Sequence, residues 1–263
     1  MTRLALTFGC GSLTLAGTLD TAPASTGLLI VSGGNEIRSG AFGGQAEMAA
    51  RIARAGFPVF RFDRRGIGDS EGENRGFRQS AKDITAALEA FRAMAPQLSR
   101  VVAFGNCDAA SALMLAGGAG FDGLVLSNPW TIAPDAGSGP SDAPPPPEAI
   151  RERYLAKLKN PREVMRLVGG GVNIGKLARG VVHALRPPPP PSSLAQEMAQ
   201  GLAGFNGPVR ILIASADRTA QLFEASWDKS DPRIHRCKGA GHAYVEPEHR
   251  DWLEAQILAS LRA

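Results

Sequence analysis

Cys107 stands in the segment of the chain whose residue types and spacing best suit covalent chemistry. The apolar run from Val101 to Gly105 is typical of a buried strand, and the small residues from Asp108 to Gly117 are typical of a tightly packed helix. A sharp turn between such a strand and helix lifts the central side chain out of the sheet, provided that the residues two before and two after are small. Gly105 and Ala109 occupy those positions. The segment therefore predicts a nucleophile at Cys107.

The helix that follows Cys107 would favour attack by sulfur. A helix N terminus stabilises negative charge, so it favours the thiolate over the thiol. The backbone N–H of Asp108 would lie at this N terminus and would help to bind the oxyanion that forms on an attacked carbonyl. Taken alone, Cys107 is equally well interpreted as one of the inert cysteines of protein cores.

Two further side chains complete a set of nucleophile, acid and histidine in that order along the chain. Asp217 follows the apolar run that begins at Ile211, and His242 lies in a later loop. Active-site groups collect at the carboxyl edge of a parallel sheet, and this order is typical of them. We predict that His242 takes the thiol proton and that Asp217 orients and stabilises the imidazole. Asp228 and Asp231 are rival acids, but their polar surroundings indicate a turn.

A glycine-containing loop and a nearby arginine are candidates for contacts with the substrate. Gly34 and Asn35 follow the first sheet strand in Val31-Ser-Gly-Gly-Asn35, where glycine lets backbone N–H groups approach a ligand closely. We predict that one of them supplies the second oxyanion donor. Arg38 is a candidate for holding an anionic group of the substrate, with a structural role as the alternative.

The elements that would position these residues follow the alternating pattern of strands and helices around a parallel sheet. Alternating leucines before Asp20 predict an opening β-hairpin instead of a secretory signal. The predicted buried strands are Leu28 to Ser32, Pro58 to Phe62, Val101 to Gly105, Gly123 to Ser127 and Val209 to Ser215, with a weaker one at Arg233 to Cys237. The predicted helices are Gln45 to Ala55, Ser80 to Ala95, Asp108 to Gly117 and Arg250 to Leu261.

A segment of different character interrupts this pattern. Residues 129–206 include two proline tracts, Pro144 to Pro147 and Pro187 to Pro191, and we predict that they form a helical cap inserted before the strand that carries the acid. Residues 1–128 and 207–263 would form the core. Within the insertion, the predicted helices are Glu148 to Leu158, Pro161 to Val168 and Ile174 to Leu185. The proline tracts are interpreted as rigid linkers, with peptide ligands of aromatic-grooved modules as the alternative.

Composition is typical of a folded protein with no obvious macromolecular partner. Of 263 residues, 44% are hydrophobic and 21% are charged, and the net charge of +4 comes from scattered residues, not from a basic run. We therefore expect no nucleic-acid partner. Three cysteines cannot all pair within one chain, which favours a reducing compartment. The sequence contains no uninterrupted apolar stretch of about 18 residues, so we predict no membrane-spanning segment.

Several motifs resemble a known superfamily. The segment Phe62-Asp-Arg-Arg-Gly-Ile-Gly-Asp-Ser70 resembles the Asp-x-Arg-Gly-x-Gly-x-Ser turn of the α/β-hydrolases, in step with the elbow at Cys107 and with Asp217 and His242. The chain is also similar to the exosortase A system-associated hydrolase 1 group. Three segments carry this similarity: Gly33-Gly-Asn-Glu-Ile-Arg-Ser-Gly40, the turn at Phe62 to Ser70 and the elbow at Cys107. That resemblance implies a bacterial, cytoplasmic protein linked to exopolysaccharide production and protein sorting.

The elbow departs from the commonest pattern of the superfamily. Cysteine replaces the usual serine, as in dienelactone hydrolases, and Ala109 replaces the usual glycine. We predict an α/β-hydrolase that cleaves a small ester or thioester through an acyl-Cys107 intermediate, with no metal or cofactor. Acyl transfer by the same triad and ligand binding without turnover are the alternatives, and the oligomeric state stays open.

Overall fold

An eight-stranded sheet forms the centre of the molecule in a computed structural model that describes residues 1–132 and 193–263. Its strands are β1 (Arg3–Cys10), β2 (Leu13–Asp20), β3 (Thr26–Val31), β4 (Val59–Phe62), β5 (Arg100–Asn106), β6 (Gly123–Ser127), β7 (Val209–Ala214) and β8 (Ile234–Cys237). The spatial order is β1-β2-β4-β3-β5-β6-β7-β8. Strand β2 is antiparallel to both of its neighbours, and the pairs from β4 to β8 are parallel. The predicted α/β fold and opening hairpin are confirmed.

Six helices in the described part of the chain cover the two faces of this sheet. They are α1 (Gly44–Arg54), α2 (Ala81–Met94), α3 (Asp108–Leu115), α4 (Ser193–Ala203), α5 (Arg218–Ser226) and α6 (Pro247–Arg262). Helices α1 and α6 pack against each other and cover one face, whereas α2 and α3 cover the other. Two short 3-10 helices lie at Ala41–Gly43 and Phe77–Gln79.

Strand β3 shows why its sequence is an unbroken apolar run. Successive side chains of a strand point to opposite faces, and both faces of this sheet are covered by helices. Leu29 and Val31 accordingly pack into the core on the α2 and α3 face, while Leu28 and Ile30 pack into the core on the α1 and α6 face. All four side chains are buried, so the strand is fixed in register near the centre of the sheet.

The chain re-enters the described part of the structure in α4, at the end of the predicted insertion. Leu194, Met198 and Leu202 of this helix are buried in the same core as α3. A Cβ on Gly201 would lie 2.1 Å from the carbonyl oxygen of Met114 in α3, so glycine permits the close approach of the two helices. The three predicted cap helices lie outside the described residues.

Helix α5 was not predicted from the sequence. It begins directly after Asp217, whose side chain accepts a hydrogen bond from the backbone N–H of Ala220 at 3.1 Å and so caps its first turn. Only Thr219, Ala220 and Phe223 are buried, and this short apolar stripe left little periodic signal. The cap matters for the site because it fixes the position of Asp217 at the carboxyl end of β7.

Candidate active site

Cys107 occupies a sharp turn between β5 and α3. Its φ of 61° and ψ of −129° lie in a region that side-chain-bearing residues rarely adopt. Its backbone N–H donates to the carbonyl oxygen of Ser127 at 3.0 Å. A Cβ added to Gly105 would lie 2.8 Å from backbone atoms of Ala109 and Ala110, so only glycine fits there. The turn has the predicted elbow geometry and leaves the Cys107 side chain partly exposed.

His242 lies between Cys107 and Asp217. Its Nδ1 is 2.9 Å from Oδ2 of Asp217, and Cys107 is near enough to influence the pKa of the imidazole. Burial alone would lower the pKa of His242, but the interactions with Asp217 and Cys107 raise this pKa from 6.5 to about 10. The imidazole therefore carries a proton at neutral pH, which suits a thiolate–imidazolium pair.

The structure distinguishes the three acids weighed from the sequence. Asp217 is almost fully buried and faces His242. Asp231 instead pairs with the guanidinium of Arg233, which holds the pKa of its carboxyl at about 2. Asp228 is exposed and accepts hydrogen bonds from Ser230 within the same turn. Of these three carboxylates, only Asp217 contacts His242.

Two asparagines connect the elements that carry the candidate triad. The Nδ2 group of Asn128 donates to Oδ1 of Asn106 at 3.0 Å and lies 3.4 Å from the backbone oxygen of His242. Asn106, which directly precedes Cys107, donates to the same backbone oxygen at 3.3 Å. The Oδ1 atom of Asn128 accepts from the backbone N–H of Ala214 at 2.8 Å. The network thus joins the ends of β5, β6 and β7 to the loop between β8 and α6 that carries His242, called the histidine loop below.

This pair of asparagines was not predicted from the sequence. Asn128 is wholly buried, has a φ of 44° and follows β6 at the carboxyl edge of the sheet. A polar residue directly after a buried strand was the available signal, similar to the one that identified Asp217 three positions after the end of β7.

A buried tyrosine anchors the other side of the histidine loop. The Tyr244 hydroxyl lies 3.1 Å from the hydroxyl of Ser127 in the protein interior. Its ring stacks on Trp252 of α6 with 6.1 Å between the ring centroids. Burial raises the pKa of Tyr244, so the phenol stays neutral and its hydrogen bond persists across the physiological pH range.

The predicted oxyanion loop lies against the elbow, but one of its donors already has a partner. A Cβ on Gly33 would lie 2.7 Å from the backbone oxygen of Asn106, so the loop and the elbow are in close contact. The backbone N–H of Gly34 donates to Oδ1 of Asp108 at 2.6 Å. Arg64, which is buried, donates to the oxygen of Gly34 and lies 3.6 Å from Oδ2 of Asp108. In this arrangement the Gly34 N–H is bound to a carboxylate and is not offered to a substrate.

Asn35 and Asp108 occupy different positions relative to the candidate nucleophile. The Asn35 side chain is exposed and accepts a hydrogen bond from Asn74 at 2.8 Å. Asp108 is the first residue of α3, directly after Cys107, so its backbone N–H lies at the helix N terminus. The backbone N–H groups of Asn35 and Asp108 stay our candidates for oxyanion donors.

Arg38 is held in a structural network. Its guanidinium pairs with the buried carboxylate of Asp63, donates to Asp69 at 2.8 Å and to the Thr18 hydroxyl at 3.1 Å. A Cβ on Gly68 would lie 2.4 Å from Asp63, so the Asp-x-Arg-Gly-type turn wraps closely around this carboxylate. These contacts favour the structural alternative for Arg38, because its donors are directed toward protein groups.

Two negative findings bound the chemistry of the described residues. Nowhere among residues 1–132 and 193–263 do three histidine, cysteine, aspartate or glutamate side chains converge as a metal site would require. Across the same residues, none of the helices has both the length and the apolar character needed to cross a membrane.

A mostly parallel sheet with an elbow cysteine, an acid and a histidine at one edge defines the α/β-hydrolase class of fold. Residues 28–256 match the family model described as the alpha/beta hydrolase family, so the chain belongs to that family. Membership supports hydrolase chemistry. No curated protein matches the chain in sequence.

Solved structures with the same fold cover nearly the whole chain. The alpha/beta hydrolase GrgF from Penicillium sp. sh18 is 20% identical with a TM-score of 0.65, and the match covers 100% of this chain and 98% of that chain. An esterase from Pyrococcus furiosus is 14% identical with a TM-score of 0.60, and the match covers 99% of this chain and 92% of that chain. Est1E from Butyrivibrio proteoclasticus, solved with ferulic acid bound, is 12% identical with a TM-score of 0.62. The match covers 98% of this chain and 100% of that chain. At these identities the likeness concerns the fold.

Proposed function

We propose that this protein hydrolyses an ester or thioester of a small acyl group through a covalent acyl-Cys107 intermediate. The observation that carries the proposal is the position of His242, whose Nδ1 lies 2.9 Å from Oδ2 of Asp217 and whose pKa is raised by both Asp217 and Cys107. A cysteine on a strained elbow beside a protonated imidazole is the arrangement that activates sulfur as a nucleophile. The Pyrococcus furiosus esterase among the solved structures of the same fold is consistent with this reaction class.

The first half-reaction forms the acyl-enzyme. The Cys107 thiolate attacks the carbonyl carbon, a carbon–sulfur bond forms, and the carbonyl oxygen takes up the negative charge. The backbone N–H of Asp108 would bind this oxyanion together with that of Asn35. The intermediate then expels the alcohol or thiol, which receives the proton from His242. His242 is left neutral, and Asp217 keeps its Nδ1 hydrogen in place.

The second half-reaction releases the acid. Neutral His242 takes a proton from water while the water oxygen attacks the thioester carbon. The carbon–sulfur bond breaks, Cys107 leaves as a thiolate, and His242 again carries a proton. One ester or thioester and one water are converted to one acid and one alcohol or thiol, and the starting charge state is restored.

Steady-state hydrolysis tests this proposal. Acetyl and butyryl esters of p-nitrophenol and the matching thioesters are assayed with wild type, Cys107→Ala and His242→Ala. Cys237→Ala is the matched control, because Cys237 is a buried cysteine at the end of β8 and has no role in the mechanism. Loss of turnover in the first two variants with retention in the control is expected. Equal turnover in Cys107→Ala and wild type would contradict the proposal.

We also propose the finer assignment to the exosortase-associated group and a cytoplasmic location. The residues that carry the resemblance form the oxyanion loop, the turn around Asp63 and the elbow, which all lie around the candidate site. Disruption of the gene in its bacterial host should reduce exopolysaccharide. Wild-type exopolysaccharide and protein sorting after disruption would count against this assignment.

A further inference from the structure

A cavity of about 300 Å³ opens beside His242 on the side of α1 and α6. Its walls are mostly apolar and include the buried side chains of Ile30, Met48, Phe104 and Leu253. This volume is at the lower end of the range for small-molecule sites, and such sites are mostly apolar with a few polar groups. The cavity thus has room for a compact apolar group.

The described residues that line the cavity include His242 and Asn106 but not Cys107. In the acyl-enzyme the acyl carbon is bonded to the sulfur of Cys107, so the acyl group must begin at that residue. The departing alcohol or thiol takes its proton from His242, so it must lie on the histidine side. The location of the cavity therefore suits the leaving group better than the acyl group.

The charges at the cavity indicate the class of leaving group. Glu36, Glu47 and Arg250 line it, and Arg250 pairs with Glu47 at 2.9 Å. Within residues 1–132 and 193–263, the remaining carboxylate, on Glu36, has the neutral amide of Gln45 as its one hydrogen-bond partner, at 3.1 Å. The proton on His242, which also lines the cavity, is balanced by the carboxylate of Asp217, so the negative charge of Glu36 remains and disfavours anionic groups such as phosphates. Resting on the proposed function, we infer that this cavity binds the uncharged, apolar alcohol or thiol portion of the substrate.

Phe42 adds an apolar side chain at the edge of the same cavity. It is fully exposed and has a φ of 51°, which is unusual for a residue with a bulky side chain. Gly40 and Gly43 on either side of it also have positive φ values, so the whole turn is built to hold this conformation. Val245, the other exposed large hydrophobic residue of the lining, is 64% exposed. A bound apolar group would bury part of both side chains.

Two ester series separate the leaving-group side from the acyl side. The first keeps the acetyl group and extends the alcohol from methanol to butanol and hexanol, which leaves the reactivity of the carbonyl nearly constant. The second keeps methanol and extends the acyl group to hexanoyl. Ala41→Trp places a large ring at an exposed position of the cavity lining. Ala93→Trp, at an exposed position of α2 on the opposite face of the sheet, is the matched control.

In wild type and Ala93→Trp we expect kcat/KM to rise at least about 10-fold from methyl to hexyl acetate, since each buried CH₂ contributes about a three- to four-fold preference. Ala41→Trp should abolish this rise without changing the rate at which iodoacetamide modifies Cys107. A rise that persists in Ala41→Trp, or one seen only in the acyl series, would overturn the inference.

A binding measurement keeps this inference separate from the proposed function. Saturation-transfer NMR should detect hexan-1-ol bound to wild type and to Ala93→Trp, and the signal should disappear in Ala41→Trp. Binding without hydrolysis of any ester would contradict the proposed function alone. Hydrolysis without hexan-1-ol binding would overturn the cavity assignment alone, and failure of both would overturn both.

Discussion

Replacing Asp217 by Asn removes one negative charge beside His242 and leaves the shape of the side chain nearly unchanged. Oδ2 of Asp217 accepts from Nδ1 of His242 at 2.9 Å and from the backbone N–H of Ala220 at 3.1 Å. Asparagine caps helices about as well as aspartate, so α5 should persist in Asp217→Asn. The substitution therefore isolates the electrostatic contribution of Asp217 to the histidine.

The size of the effect follows from the pKa of His242. Against the effect of burial, Asp217 and Cys107 raise this pKa from 6.5 to about 10, and Asp217 is the larger of the two contributors. One pKa unit is about a factor of ten in the protonation equilibrium. Because the His242 side chain is 40% exposed, solvent screening weakens the interaction. We expect kcat/KM to fall by about 10- to 100-fold, less than for triads in which the histidine is fully shielded from solvent.

The pH dependence gives the direction of the change. Protonated His242 is needed to release the leaving group, so activity in wild type should decline as pH rises through about 10. In Asp217→Asn this alkaline limb should move to lower pH by at least about one unit. The raised pKa also stabilises the folded state fully below pH 6.5, and that contribution is lost as pH rises through about 10. Asp217→Asn should flatten this part of the stability curve.

The assay is the pH profile of kcat/KM on one ester, with thermal unfolding measured at each pH. Asp228→Asn is the matched control, because that carboxylate is exposed and contacts Ser230 instead of a histidine. It should leave the profile unchanged. An alkaline limb at the same pH in wild type and Asp217→Asn, with equal kcat/KM, would refute the assigned role of Asp217.

Three further substitutions test the parts of the fold that hold the site. For each, the change in the free energy of unfolding is measured by denaturant unfolding. Gly105→Ala should lower the free energy of unfolding by about 3 kcal/mol or more, because the added methyl group is overpacked against rigid backbone. The control Gly9→Ala, which has open space around its Cβ, should lower it by under about 1 kcal/mol. Similar losses in the two variants would contradict the elbow geometry. Asn128→Ala should cost about 2 to 4 kcal/mol by leaving buried partners unsatisfied, and an unchanged midpoint would contradict the network. Arg38→Met should cost about 2 to 4 kcal/mol by unpairing buried Asp63, and loss of activity without loss of stability would restore a substrate role.

The sequence alone predicted the elements whose signal is local. The apolar runs of β3 to β7 lie between helices at the predicted positions, and the weaker run at Ile234–Cys237 is also a strand. Small residues around Cys107 and an acidic residue three positions after the end of β7 were enough to propose the elbow and the acid. These signals work because strand ends and sharp turns each restrict which residue types fit.

The features that the sequence did not predict depend on contacts between distant segments. Gly34 and Asp108 are 74 positions apart, and nothing near either residue indicates that the carboxylate binds the loop N–H. Arg38 was a candidate substrate ligand because guanidinium suits anions, but Asp63 and Asp69 provide carboxylates within the protein. Asn128 contacts the backbone oxygen of His242, and a contact with a backbone atom does not depend on the type of residue, so the sequence does not indicate it.

The acyl-enzyme itself is the most direct test of the account. Wild type and Cys107→Ala are mixed with p-nitrophenyl butyrate, quenched in acid within the first turnovers and analysed by intact mass and peptide mapping. The account predicts one butyryl group on the peptide that contains Cys107 in wild type, which decays as butyrate appears, and no adduct in Cys107→Ala. Hydrolysis at the wild-type rate by Cys107→Ala, or a butyryl group on another residue that decays at the turnover rate, would contradict Cys107 as the nucleophile.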